Sequence, residues 1–308
     1  MADRRRFIRL TSGKDAIVMY RTREQAAAYL FILPSFVSFI IFVLVPAVMG
    51  LGLSFFQWDL VSPIQFVGME NWSDLLENKE ALGSIKTTII LVIISLPLTV
   101  ICGLILALLV NKLPFGKTFF RSVFFIPSIT SMVAMSVIWG NMYSKDIGLI
   151  NYVLSQVGIQ PVGWLSNPHM ALISIVILGI WSSAGYNMLI FLAGLQGIDE
   201  SLYEAAKVDG GGGFYIFWKI TLPLLSPTLF FISITSIIGG LQSFEAVYLL
   251  TGGGPGYATT TLVYFIVNAA FKSFNMGLAA TISLVLFMLI LLVTLIQWRF
   301  QKKWVHYD

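Results

Sequence analysis

Six stretches of this chain are each long enough and oily enough to cross a lipid bilayer, and no other feature of the sequence restricts its fold so severely. They run over residues 29–56, 87–110, 119–142, 170–195, 222–250 and 277–298. A helix needs about 20 apolar residues to traverse roughly 30 Å of hydrocarbon. No water reaches the backbone there, so each peptide N–H and C=O must find a partner inside its own segment, as it does in a helix. The spacing therefore predicts an all-α, polytopic membrane protein with six transmembrane helices. Composition agrees: of 308 residues, 57% are hydrophobic and 11% charged, where a soluble domain is about one quarter charged. The first run is read as a retained span, being longer than a signal-peptide core and lacking a small-x-small exit. Pro34, Pro46, Pro97, Pro127, Pro223 and Pro227 lie in or at the ends of these runs and predict kinks rather than breaks.

Lysine and arginine fix the expected orientation. Seven stand in the amino-terminal tail, three in 111–121, two in 196–221 and three after residue 298, so fifteen fall on one side. Only Lys79, Lys86, Lys145 and Lys272 fall on the other. The positive-inside rule then puts both termini in the cytoplasm. The predicted organisation is a cytoplasmic basic tail over 1–28, a six-helix transmembrane domain over 29–298 and a cytoplasmic tail over 299–308. Outside, residues 57–84 are acidic and aromatic, and 251–276 opens with the turn cluster "TGGGPG". The apolar "TTLVYFIVNAAF" that follows is too short to span and reads as a re-entrant or interfacial helix. Phe119, Phe120, Phe124, Phe125, Trp298 and Trp304 read as membrane-facing or interfacial belt residues. The basic tail reads as orientation charge and anionic-lipid contact, not as a nucleic-acid arm.

Catalytic chemistry finds no footing. "GKT" at 116–118 resembles the end of a phosphate-binding loop, but the required upstream glycine is Asn111. Two histidines and the single Cys102 supply neither a zinc site nor a thiol nucleophile. The chain is expected to be no enzyme and to bind no cofactor or metal.

Against this oily background the inside loop 196–221 is a polar, glycine-laden island, "EAAKVDGGGGFYIFWKITLP" at its core. Asp199 is placed to cap a helix, with Glu200 adding negative charge in its first turn. Leu202, Tyr203, Ala205 and Ala206 continue that helix, and Gly210 suits a left-handed stop. A second helix through Phe214, Phe217 and Trp218 leads to Pro223, where the next span begins. Two readings of the island fit the residues. It is a bent lever onto which a cytoplasmic partner docks, using the low surface at Ala205 and Ala206, or it is a loop lying on the headgroups with its aromatics as anchors.

The segment "EAAKVDGGGGFYIFWKITLPLLSP" resembles the EAA coupling motif of importer-type ABC transporter permeases. Glu204, Ala205, Ala206, Asp209, Gly210, Ile220, Pro223 and Pro227 match the pattern. Gly211 replaces the usual alanine and, with Gly212 and Gly213, predicts a looser bend. "FLAGLQGIDESLYEAA", "VYLLTGGGPGYATTTLVYFIVNAAF" and "GLINYVLSQVGI" are similar to the carbohydrate-uptake branch. The resemblance covers most of the chain from residue 119 onward.

That resemblance implies the importer-type ABC permease fold and a place in a bacterial or archaeal cell (inner) membrane. It implies a second homologous permease, two ATP-binding subunits holding ATP and magnesium, and an extracytoplasmic solute-binding protein that delivers the sugar. By the same resemblance Glu204 is the polar anchor in the ATPase cleft, Gly210 makes the bend, and Asp209 caps or contacts. Substrates of the branch include di- and oligosaccharides, monosaccharides and glycerol-3-phosphate.

For the substrate pathway the residues themselves offer one ionisable group well inside a span, Glu245, a functional candidate by position. Gly239, Gln242, Glu245 and Leu249 are expected on one helical stripe, with Tyr248 one turn on. Trp181, Tyr186 and Asn187 on the fourth span, and Asn268 in the short outer helix, complete the candidates. The competing reading has Gln242 bonding a neighbouring helix and Glu245 at the outer interface. A self-contained ion-coupled transporter or channel remains the alternative for the whole chain. It calls for several intramembrane acids and leaves the island without a role.

Overall fold

The computed structural model describes residues 13–305, and the chain divides into two units, residues 1–52 and 53–308. The described part of the first unit is one helical run: α1 (Gly13–Phe39), a π-helical turn (Ile40–Leu44), and α2 (Val45–Leu53), whose end reaches the second unit. Six charged residues of the expected tails (Asp3, Arg4, Arg5, Arg6, Arg9 and Asp308), together with His306, lie outside the described residues.

The second unit opens with a two-stranded hairpin, β1 (Phe56–Gln57) and β2 (Gln65–Phe66), antiparallel with Phe56 opposite Phe66. The helices α3 (Glu70–Glu77) and α4 (Lys79–Lys112) follow. Asn78 starts α4 because its side-chain oxygen accepts the Glu80 and Ala81 amides, both at 3.0 Å. Next come α5 (Lys117–Ile129), α6 (Met132–Met142), α7 (Leu149–Gln156) and α8 (Pro168–Gln196). Asn167 and Pro168 start α8 together, the first as side-chain cap and the second with a preset φ and no amide to satisfy. The remainder is α9 (Glu200–Val208), α10 (Gly213–Ile216), a π-helical turn (Phe217–Thr221), α11 (Leu222–Leu224), α12 (Ser226–Leu241), α13 (Glu245–Leu250), α14 (Leu262–Phe271) and α15 (Met276–Trp304).

Among the described residues, four helices are long and apolar enough to cross a membrane by themselves: Ala27–Leu53, Lys79–Lys112, Pro168–Gln196 and Met276–Trp304. The other two expected spans are broken, which corrects the reading of their prolines as mere kinks. The α5–α6 pair bends by 94° at Thr130–Ser131, both in non-helical conformations. Pro127 precedes the break and brings no amide to the last turn of α5. The stretch Gly213–Leu224 meets α12 at 64°. Pro227 cannot donate to the Pro223 carbonyl one turn back, and the Ser226 hydroxyl takes that acceptor instead, at 2.5 Å. The longer helix of the fifth expected span thus begins at Ser226 rather than 222. By contrast Pro97 sits inside an unbroken α4.

Three apolar clusters hold the second unit. One gathers Tyr143, Ile175, Leu178 and Val247, a second Leu75, Leu262, Phe265 and Ile282, and a third Met188, Phe191, Leu225 and Ile232. The most extensive helix pairing is α4 against α8. The short α14 is tied to α4 by a buried bond, the Leu262 amide donating to the Thr88 hydroxyl oxygen at 2.8 Å. It is ten residues long and largely buried in protein.

Candidate functional site

Two places gather the residues singled out from sequence. The first is the bent element over 199–221. Asp199 caps α9, its carboxylate accepting the Ser201 amide at 2.9 Å. That bond, with the Ser201 hydroxyl, holds the Asp199 carboxyl below its ordinary range. At the other end the Gly211 amide donates to the Ala206 carbonyl at 2.8 Å and the Gly210 amide to the Lys207 carbonyl at 3.1 Å. These are the two bonds of a Schellman stop, and Gly210 sits between them with φ +81, a conformation that costs any other L-residue. The expected looser bend is not what Gly211 brings. A Cβ there would stand 2.7 Å from the Ala206 carbonyl oxygen, so its missing side chain permits the close return. Gly212 and Gly213 face open space.

The second arm of the element is tied back to the first. Tyr203 on α9 shares a hydrogen bond with Thr221 across 3.3 Å, and Thr221 is itself buried. Between the arms lies an open concavity of about 520 Å³, walled by Ala205, Ala206, Asp209, Gly210 and Ile220 together with Leu202, Tyr215 and Lys219. Glu204 is exposed on α9 beside it, and Pro223 stands half-buried in α11. The structure thus assembles five of the eight motif residues on one surface. Tyr215 and Lys219 add to it and carried no sequence signal beyond their proximity.

The second place is a cavity of about 320 Å³ among α4, α6, α8, α12 and α13. Gln242, Glu245, Tyr186 and Asn187 line it, as does Gly239. The expected continuous stripe is not there. α12 ends at Leu241, Phe244 has φ −135 and ψ −59, and α13 starts at Glu245. Gln242 and Glu245 share the cavity because the chain breaks between them, not because they are one helical row. Trp181, Tyr248 and Asn268 lie outside its lining. Trp181 packs edge-on against Trp139 at 5.5 Å. Tyr248 stacks on Phe244 at 5.3 Å with the Lys272 ammonium 5.8 Å from its ring centre. Asn268 sits on α14, and its buried Oδ1 finds no partner among the described residues.

Sequence reasoning passed over Ser95 and Thr99 of α4 and Thr235, Ser236 and Ser243, all in the cavity wall. A signal existed in α4: Leu91, Ser95 and Thr99 recur every fourth residue, which marks one face of a helix. The lining holds serine, threonine, glutamine and asparagine groups around a single charge, Glu245. That set offers hydrogen bonds to hydroxyl-rich solutes and no cationic grip. Asn187 is 3% exposed and its Nδ2 has no partner among the described residues, an unspent donor in that wall.

The chain is 34% identical over 283 residues to the sn-glycerol-3-phosphate transport system permease protein UgpA of Agrobacterium fabrum, covering 91% of this chain and 96% of that one. It is 36% identical over 278 residues to the trehalose/maltose transport system permease protein MalF of Thermococcus litoralis, covering 89% and 93%. In fold it matches a chain of the bacterial alginate ABC transporter, crystallised with its alginate pentasaccharide-bound periplasmic protein. The TM-score is 0.80 at 23% identity, over 92% of this chain and 96% of that one. Residues 99–306 match the family described as binding-protein-dependent transport system inner membrane component. With several apolar helices and relatives of this kind, the protein is a multi-pass component of the cell (inner) membrane. On a match that takes in about two thirds of its length, the chain is an ABC transporter permease of the binding-protein-dependent transport system inner membrane component family.

Proposed function

We propose that this chain is the membrane-spanning permease subunit of an ATP-driven, binding-protein-dependent importer of a sugar, and that it forms half of the translocation pathway. Each bent helix pair counts as one span in this reading, so six spans cross the bilayer with both termini in the cytoplasm. The chain itself catalyses nothing and binds no cofactor. ATP and magnesium belong to two ATP-binding subunits, a second homologous permease supplies the other half, and an extracytoplasmic solute-binding protein delivers the substrate.

The observation that carries this reading is the capped, double-bonded elbow at 199–221, with Glu204 exposed beside a concavity. An element stiffened at both ends and joined through α11 to α12 can transmit displacement to the spans. Closure of the ATP-binding subunits would draw two such elbows together and bias the spans toward an outward-open arrangement, and hydrolysis would reset them. Glu204, Ala205, Ala206, Asp209, Gly210, Ile220 and Pro223 carry the coupling. Gln242, Glu245, Tyr186 and Asn187 line the pathway directly, and Trp181, Tyr248 and Asn268 stand around it.

A di- or oligosaccharide is the substrate that the cavity suits best. Its 320 Å³ is within the range of small-molecule sites, and its hydrogen-bonding wall, with Glu245 its one acidic group, lacks the lysine or arginine that a phosphate ester calls for. The trehalose/maltose relative supports that choice, and the glycerol-3-phosphate relative supplies the competitor to be tested. Two experiments decide the matter. Glu204→Arg combined with Gly210→Pro should leave the chain inserted and abolish ATPase-coupled uptake, and normal uptake would refute the coupling role. Stimulation of the assembled complex's ATPase, screened with the cognate binding protein across trehalose, maltose, lactose and sn-glycerol-3-phosphate, identifies the substrate class. Stimulation by the phosphate ester alone would overturn the neutral-sugar assignment.

A further inference from the structure

Helix α8 is entered near its middle by a hydroxyl from another span. The Ser128 hydroxyl of α5 donates to the Ser182 carbonyl at 2.7 Å, and its oxygen accepts the Tyr186 amide at 3.1 Å. That carbonyl and that amide are the two ends of one ordinary i→i+4 helical bond. A side chain from α5 therefore bridges a rung of the α8 ladder, an arrangement known to bend helices.

The location is specific. Ser128 stands two residues before the break at Thr130, where α5 and α6 turn through 94°. Ser182 and Tyr186 both line the 320 Å³ cavity, and Met132 at the start of α6 lines it from the other side of the break. Gly185 makes the approach possible, because a Cβ there would strike the Phe124 carbonyl and lie 3.0 Å from the Phe125 Cα. The hydroxyls of Ser182 and Ser183 are spent on the Gly179 carbonyl, at 3.0 and 2.7 Å. Neither is available to close the rung in place of Ser128.

We propose that Ser128 is a positioning residue, a latch that holds the α5–α6 elbow and the Tyr186 wall of the cavity in one arrangement and releases them together. Its purpose rests on the transport reading, but its existence does not. With the latch closed, the Ser182 carbonyl and the Tyr186 amide are both satisfied by the hydroxyl. With it open, they satisfy each other, and the hydroxyl turns to the Phe124 carbonyl one turn back in its own helix, as serine does. No buried polar group is orphaned on either side of the exchange. Two arrangements of similar energy are what a bistable element requires, and the elbow supplies the lever arm.

Two tryptophans already stand where the latch can be read. Trp139 on α6 and Trp181 on α8 meet edge to face with ring centres 5.5 Å apart. The full chain, labelled with 5-fluorotryptophan in lipid nanodiscs, is compared by fluorine resonance in the wild type, Ser128→Ala and Ser128→Thr. Ser128→Ala is expected to shift or double the Trp139 and Trp181 signals while Trp218 and Trp304 stay put, and Ser128→Thr, which keeps the hydroxyl, restores the wild-type lines. Unmoved Trp139 and Trp181 signals in Ser128→Ala overturn the latch, and so does a threonine variant that behaves like the alanine one. If Ser128→Ala does not insert, Ser128→Cys, close in size and a weak donor, takes its place in the same comparison. No transport is measured, so a negative result here leaves the import reading standing, and a failed uptake assay leaves the latch standing.

Discussion

Gly210 is the position where the elbow's geometry turns most directly into a number. Its φ of +81 lies in the left-handed region, which costs an L-residue with a side chain roughly 1–2 kcal/mol. Gly210→Ala should therefore shift the bent state against its unbent alternatives by roughly 5- to 30-fold. Gly210→Asn should cost less, since asparagine tolerates this region better than other side chains. Gly210→Pro should cost more than either. Its ring fixes φ near −65° and its nitrogen cannot donate to the Lys207 carbonyl, so about 3 kcal/mol or more is forfeited. The direct readout is hydrogen exchange at the Gly211 amide, which the Ala206 carbonyl protects in the wild type at 2.8 Å. Protection should fall in the order Gly, Asn, Ala, Pro, and ATPase-coupled uptake by the assembled complex should fall in the same order. An alanine variant as protected and as active as the wild type would refute the argument that the left-handed stop builds the lever.

Other perturbations reach the rest of the molecule. Glu245→Ala should raise Km or lower turnover by about tenfold, the worth of one charge-assisted hydrogen bond, without lowering assembly; wild-type uptake kinetics would remove Glu245 from the pathway. Thr88→Val should destabilise the chain by about 1–3 kcal/mol, because it strands the buried Leu262 amide, and the loss is read as a lowered midpoint of thermal unfolding in detergent. Asp199 responds to pH. Its native carboxyl titrates below the ordinary value of 3.8, so its contribution to α9 is intact above that value and is lost as pH falls through the lower native one. Amide exchange at Ser201, corrected for intrinsic rates, should stay constant from neutral to about pH 4 and rise below it, whereas in Asp199→Ala that step should vanish.

Much of this architecture was legible in the chain because membrane and capping signals are local. α4, α8 and α15 coincide with apolar runs, and Asp199 caps the helix that follows as its place before Glu200 implies. Gly210 takes the left-handed stop that its place after a helix implies. The breaks were not legible. Pro97 and Pro127 look alike in sequence, yet α4 runs through the first while the chain turns sharply after the second. What differs is the tertiary setting: the Pro223 carbonyl that Pro227 leaves free is taken by the Ser226 hydroxyl beside a 64° bend, and next to Pro127 the Ser128 hydroxyl is engaged by a second helix.

By itself the sequence determined the solvent this protein folds in, the number of apolar runs, the capped polar elbow and the residues that mark its family. Those properties follow from run length, charge placement and hydrogen bonds made within a few residues, all of which are fixed before distant segments meet. Only the tertiary structure decided that two runs would be broken, that Gln242 and Glu245 would converge through a break rather than along a stripe, and that α4 would lend Ser95 and Thr99 to the same cavity. It also turned Trp181, Tyr248 and Asn268 away from that lining. The reason is that a cavity wall is made of side chains far apart in the chain, and which of them face one another is settled by helix packing rather than by any local period.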